Sequence, residues 1–184
     1  MKNNKIVLLA LTAIISIFAG CKKDKTEPTE LSKLPTATQI GANTVGCLVN
    51  GKAWVAQRND CSIFCEASFK VLYNGANGGN LGITAININI AEGINQGILI
   101  GFDSTNFKSN FIYSQVTSLS MGFTFINNSE YIRSWNPLVT CTGLINLTTY
   151  NLQSGIISGT FEFTLSKPNT QPIVVTEGRF DKKL

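Results

Sequence analysis

Apolar residues along this chain fall in short runs, many alternating with polar ones, and most runs stop at a cluster of Asn, Gly, Ser or Asp. Alternation of period two with such punctuation predicts half-buried strands joined by tight turns. The strongest runs lie in the last quarter. Leu144 to Tyr150, Ile156 to Leu165 and Ile173 to Phe180 are separated by Asn151 to Gly155 and by Lys167 to Pro172. Three such runs with polar loops predict an antiparallel meander. Within the middle one, Phe161, Phe163 and Leu165 make the apolar face, which turns Glu162 towards solvent.

The same reading extends upstream. Val45 to Val49 and Ala53 to Val55 flank Asn50-Gly51, a pair that readily takes positive φ and so suits a two-residue hairpin, with Trp54 as a core anchor. Phe69 to Tyr73 leads into the Gly-rich stretch Asn74 to Asn80. A phosphate cradle would need a helix behind that stretch, but another strand pattern follows, so a hairpin loop is expected. Leu81 to Ile90 alternates in its second half, which predicts a buried face of Ile86, Ile88 and Ile90 and a wet face of Asn87 and Asn89. Ile98 to Phe102 is a further strand, followed by a turn at Asp103 to Asn106. Leu119, Met121, Phe123 and Phe125 form a core stripe that ends at the turn Asn127-Asn128-Ser129. The expected fold is one all-β domain, an antiparallel β-sandwich of about eight to ten strands, with a lipocalin-like closed β-barrel as the alternative. A barrel would pair the last strand with the first and leave no free edge.

The N-terminal pattern differs. Lys2 and Lys5 precede an apolar run of 14 residues, Ile6 to Ala19, which closes on Phe18-Ala19-Gly20-Cys21. That order predicts an export signal over residues 1–20. Fourteen residues are too few for a spanning helix, which needs about 20. Phe18, the small Ala19 and Gly20, and Cys21 resemble the lipobox of bacterial lipoproteins. The resemblance implies lipidation of Cys21 and a lasting membrane anchor, since two or more acyl chains hold stably where one does not. Residues 21–40, polar and carrying Pro28 and Pro35, read as a flexible tether, and residues 41–184 as the domain. Lys22-Lys23-Asp24-Lys25 resembles, loosely, the charged signals that carry some Bacteroidetes lipoproteins to the outer face of the outer membrane. The expected location is therefore the outer membrane, lipid-anchored, with the domain on its periplasmic or surface-exposed face.

Charge excludes one class of partner. The formal net charge is +4, but from Gly41 onward nine Lys/Arg face eight Asp/Glu, a net of +1. No basic face for nucleic acid is expected. Charged residues make up 14% of the chain against a usual value of about 25%, so Asn, Ser, Thr and Gly supply the surface polarity.

Two regions carry a wider resemblance. Leu34 to Trp54, with Gly41-Ala42-Asn43-Thr44 and Cys47-Leu48-Val49-Asn50-Gly51, resembles the start of a family of uncharacterised Bacteroidetes lipoproteins. Ile156 to Phe163 and Thr176 to Asp181 resemble that family's two C-terminal signatures, the second usually carrying Asp where this chain has Glu177. The resemblance implies a class and a location and brings no activity with it.

Five cysteines remain to be placed. With Cys21 lipidated, an even four are left in an oxidising compartment, which favours two disulfides among three possible connectivities. The preferred pairing is Cys61 with Cys65 and Cys47 with Cys141. Zinc is disfavoured, because one close pair and no histidine make a poor structural site. No cofactor is expected.

The absence of histidine also excludes Ser-His-Asp and Cys-His catalysis. A carboxylate pair drawn from Glu162, Glu177 and Asp181 is the remaining catalytic option, and it suits a small glycan-directed hydrolase. Arg179 and Lys182 lie among these acids, so a surface ion-pair cluster is the preferred reading and the domain is expected not to be an enzyme. A binding or structural module is expected instead, which meets a glycan or an envelope protein through exposed aromatics: Tyr131 and Trp135 in the loop Tyr131 to Pro137, or Tyr113. Closure of one end of the core is the preferred role for Trp135 within that loop, with ligand contact as the alternative. Asp103-Ser104-Thr105 resembles the O-glycosylation acceptor pattern of exported Bacteroidetes proteins, which would place a glycan on Ser104; a plain turn is the preferred reading.

Overall fold

The computed structural model describes residues 28–60, 67–74, 79–104, 106–114 and 121–184. The strands are β1 (Thr44–Val49), β2 (Lys52–Val55), β3 (Gln57–Arg58), β4 (Phe69–Asn74), β5 (Gly79–Asn89), β6 (Ile94–Ser104), β7 (Phe111–Ser114), β8 (Gly122–Asn127), β9 (Glu130–Arg133), β10 (Thr140–Asn151), β11 (Ile156–Ser166) and β12 (Ile173–Lys183). They form two sheets. Sheet A runs β2-β1-β12-β11-β10-β7, antiparallel throughout, and sheet B runs β3-β5-β6-β8-β9. On the outer edge of sheet B, β4 pairs antiparallel with the first half of β5 and the short β3 pairs parallel with its end.

The architecture is the expected β-sandwich and not a barrel. The last strand does pair with the first, β12 with β1, but β2 and β7 remain as the two edges of sheet A. First-to-last pairing is thus no mark of closure here, because the β1–β2 hairpin folds outward past it. That hairpin turns as expected on Asn50 (φ 49°) and Gly51 (φ 78°). Asn128 (φ 53°) likewise turns β8 into β9, and the meander β10-β11-β12 forms as read.

The core lies between the sheets. Trp54, Phe161 and Phe180 fill one part, and Phe123 of sheet B stacks on Phe163 of sheet A with ring centroids 4.8 Å apart. Both rings need Gly143 beneath them: a Cβ there would lie 2.7 Å from each side chain. Met121, Phe123 and Phe125 are buried as the stripe predicts, while Leu119 lies outside the described residues.

One face assignment is reversed. In β5 the buried positions are Leu81, Ile83, Ala85 and Asn87, whereas Ile86 and Ile88 point outward and Ile90 is 66% exposed. The β5–β6 ladder is continuous from Gly79 to Asn89 with no bulge, so the strand keeps the phase set by Leu81 and Ile83. Ile86 stays half-buried because Gly97 opposite it leaves room, and Ile126 fills the same gap from β8.

The tether also ends earlier than residue 40. Glu30 accepts a hydrogen bond from the Ala53 N–H (2.7 Å), Leu34 is buried, and Pro35 packs so closely on Gly46 that a Cβ there would lie 2.7 Å from the ring. The strap then crosses sheet A to Asp181, which is 1% exposed. The Asp181 carboxylate accepts from Thr38 Oγ1 (2.6 Å) and from the N–H groups of Ile40 (3.0 Å), Gly41 (2.9 Å) and Ala42 (3.0 Å). Polar and proline-containing sequence alone does not reveal that a distant carboxylate holds it.

The expected Cys47–Cys141 disulfide is not formed. Cys47 lies on β1 and Cys141 on β10, with β12 and β11 between them, so three strand steps of about 4.8 Å alone keep the two more than about 14 Å apart. A disulfide needs Cα atoms within about 4.4–6.8 Å. Cys61 and Cys65 lie outside the described residues.

Two predictions follow from these contacts. Burial pulls the Asp181 carboxyl upward, but its bonds from Ala42, Thr38, Gly41 and Ile40 outweigh that and hold it below its ordinary 3.8. Its contribution is therefore fully present above about pH 4 and is lost as pH falls through the depressed folded value. Asp181→Ala should cost about 1–3 kcal/mol in chemical denaturation at neutral pH, and the gap from the parent should narrow in acid. For the thiol, burial pushes Cys47 up to about 12. At about pH 8 iodoacetamide should leave Cys47 unmodified in the folded protein and label it in denaturant, as read by peptide mass.

Candidate functional site

The outer faces of the two sheets offer different chemistry. On sheet A, Glu162 is exposed as expected, and with Ala37, Leu144, Thr160, Glu177 and Arg179 it lines a shallow depression of about 390 Å³. Glu177 sits at a bulge in β12 with φ 54°, and its carboxylate pairs with Arg179 Nη2 at 3.4 Å. Only two of the three candidate carboxylates are brought together. Asp181 is sequestered under the strap, and Lys182 lies 5.5 Å from the Phe69 ring rather than among the acids. What stands here is a surface ion pair beside an exposed Glu, so the ion-pair reading is kept with fewer members than expected.

Sheet B presents a more structured surface. Glycines Gly82, Gly101 and Gly122 are directly paired across β5, β6 and β8, all pointing outward because their neighbours Leu81, Ile83, Ile100, Phe102 and Phe123 point in. Leu72 of β4 pairs with Gly82 at one end of this row. At the other end Trp135 lies against Gly122, where a Cβ would meet its six-membered ring at 3.2 Å. Above Gly101, in the middle, a Cβ would meet none of the described residues within 4 Å. The row is thus an open floor between two apolar walls, Leu72 (67% exposed) and Trp135 (63% exposed).

Polar groups line both banks. On one side Asn80 pairs with Asp103, its amide donating to the carboxylate at 2.8 Å. On the other side Thr84, Leu99 and Thr124 form the adjoining row. Thr124 is 2% exposed, lines the same depression of about 270 Å³, and leaves its hydroxyl without a hydrogen-bond partner among the described residues.

Trp135 is held by its neighbours. Ser134 bonds Phe123 twice, its N–H to the Phe123 carbonyl and its Oγ from the Phe123 N–H, both at 2.9 Å. Asn136 then closes the turn through Arg133 O at 3.1 Å and through Leu138 N–H at 3.0 Å. The Arg133 guanidinium lies 4.6 Å from the Tyr131 ring centre and 5.6 Å from that of Trp135, so alternate residues of the edge form an aromatic-cation-aromatic ladder. Tyr131 and Trp135 are therefore both exposed along one edge, which corrects the preferred expectation that Trp135 closes the core. Tyr113 is the exception. It is buried, its hydroxyl accepting from the Lys108 N–H (2.9 Å) and donating to the Asn106 carbonyl (3.3 Å).

Ser104 ends β6 half-buried, so the strand runs two residues into the expected turn, and its Oγ accepts from the Asn106 N–H at 3.2 Å; Thr105 lies outside the described residues. Cys21 lies outside the described residues. The glycine row, Asn80 and Asp103 escape a linear reading, although glycine at outward positions of three separate strands is the available signal, since strand glycines often mark close approach of another group.

The chain has two tryptophans, Trp54 at 3% exposure and Trp135 at 63%. Trp135→Ala should remove nearly all acrylamide-quenchable emission and shift stability by no more than about 0.5 kcal/mol, as expected for a solvent-facing side chain. No protein-family model matches the chain, and neither any curated protein nor any solved structure matches it.

Proposed function

We propose that this protein is a non-catalytic binding module held at the outer membrane by a lipidated Cys21. The observation that carries the binding role is the rigid exposed ladder of Tyr131, Arg133 and Trp135 beside an open floor. Large aromatics held outward by hydrogen-bonded turns lose little freedom when they meet a ligand, and they supply apolar area with a polar handle. The anchoring half of the proposal rests on the Met1 to Cys21 pattern, and a glycan or an envelope protein is the class of partner.

A small hydrolase is the second reading, favoured by the shared depression of Glu162 and Glu177. Against it stand the ion pair of Glu177 with Arg179 and the loss of Asp181 from the set.

The test uses the full chain expressed in a diderm bacterium. Cys21→Ser should release the protein from the membrane pellet into the soluble fraction. Purified protein should co-sediment with insoluble envelope material; Tyr131→Ala with Trp135→Ala should abolish this, while Glu162→Gln with Glu177→Gln should leave it intact. Undiminished sedimentation of the aromatic variant would contradict the binding role. Glycan cleavage that disappears in the Gln variant would establish the hydrolase.

A further inference from the structure

Resting on the binding-module reading, we infer that the trough floored by Gly82, Gly101 and Gly122 is a binding site for a neutral glycan, with Trp135 as its stacking wall. A pyranose ring has an apolar C–H face and a rim of hydroxyls. The trough matches both parts. Its floor has no side chains for about 10 Å, two inter-strand steps, and so admits a ring edge-on or flat against the indole. The Asn80 amide and Asp103 carboxylate on one bank and the Thr84 and Thr124 hydroxyls on the other face the positions a hydroxyl rim would occupy. The Asn80 amide and Asp103 carboxylate are held together at the rim, and the buried Thr124 hydroxyl has no partner among the described residues.

Size and charge narrow the class. At about 270 Å³ the depression lies just below the usual range of ligand sites, about 300–1,000 Å³, which suits one or two sugar rings of a longer chain rather than a folded protein surface. Among the described residues the charged groups around it are Asp103, Lys70 and Arg133, of both signs. The Arg133 guanidinium is stacked between Tyr131 and Trp135, and Asp103 stands on the row next to the floor, so an anionic sugar would meet a carboxylate on that bank. A purely apolar ligand would leave the Asn80–Asp103 bank desolvated without compensation.

Calorimetric titration of the purified full-length protein with cellotetraose, maltotetraose and mannotetraose tests this, with tetragalacturonate as the acidic counterpart. At least one neutral tetrasaccharide should bind and protect Trp135 from acrylamide. Trp135→Ala should weaken that binding about tenfold or more. Gly101→Val should abolish it: the new side chain enters empty space and is favoured in a strand, so the variant folds while the floor is filled. Glu162→Gln, on the opposite sheet, should change nothing. Neutral saccharide binding that survives Gly101→Val would overturn the trough and leave the binding module standing. Binding of tetragalacturonate alone would overturn the neutral class. Silence with all four would overturn the glycan inference, whereas the binding-module reading falls only if co-sedimentation with envelope material is also indifferent to the aromatic variants.

Discussion

The ladder between β5 and β6 runs through eleven residue pairs without a bulge, and the two faces of sheet B depend on it. In a bulge-free ladder every side chain alternates, so fixing Leu81 and Ile83 in the core fixes all positions that follow. The core receives Ala85, Ile98, Ile100 and Phe102 on one side. The outer face receives Gly82, Thr84, Leu99 and Gly101 on the other. The β8 ladder continues the same register, which is why a third glycine, Gly122, falls in line and Trp135 arrives at the end of the row. A slip of one residue would bury the glycines and expose the isoleucines, destroying core and trough together.

Sheet A follows another logic. Its ladders shift register between β1 and β12, β10 and β11, and β11 and β12. One of these irregularities places Glu177 in a left-handed conformation, turned out beside Arg179. The chain then covers part of this sheet itself, because Asp181 gathers four donors from the strap that precedes β1. One outer face is thus partly closed by the chain's own segment and the other is left open, with exposed aromatics along its edge. That asymmetry, more than any single residue, directs attention to sheet B.

Much of the fold was legible because its signals are local. Asn50-Gly51 and Asn128 turn the chain wherever they occur, and the meander of β10 to β12 repeats an alternation long enough to leave no competing period. What depended on distant partners was not legible. Alternation in β5 was visible, yet its phase is set by a ladder with β6, so the isoleucine face was assigned inward when it points out. Cys47 and Cys141 looked available for pairing until strand order put two strands between them. Asp181 read as a candidate acid because its sequence neighbours are charged, whereas its actual partners lie about 140 positions upstream. Trp135 and Tyr131 could be named from a proline-interrupted, polar loop, but their floor is assembled from three strands and has no linear signature.

The proposed binding face rests on the open glycine row of sheet B. The most direct measurement is an NMR titration of the amide resonances of Gly82, Gly101 and Gly122 with a neutral oligosaccharide. These three amides and the Trp135 indole N–H should shift together, in one saturable process, while residues around Glu162 stay still. Shifts confined to the surroundings of Glu162 and Glu177 would contradict it.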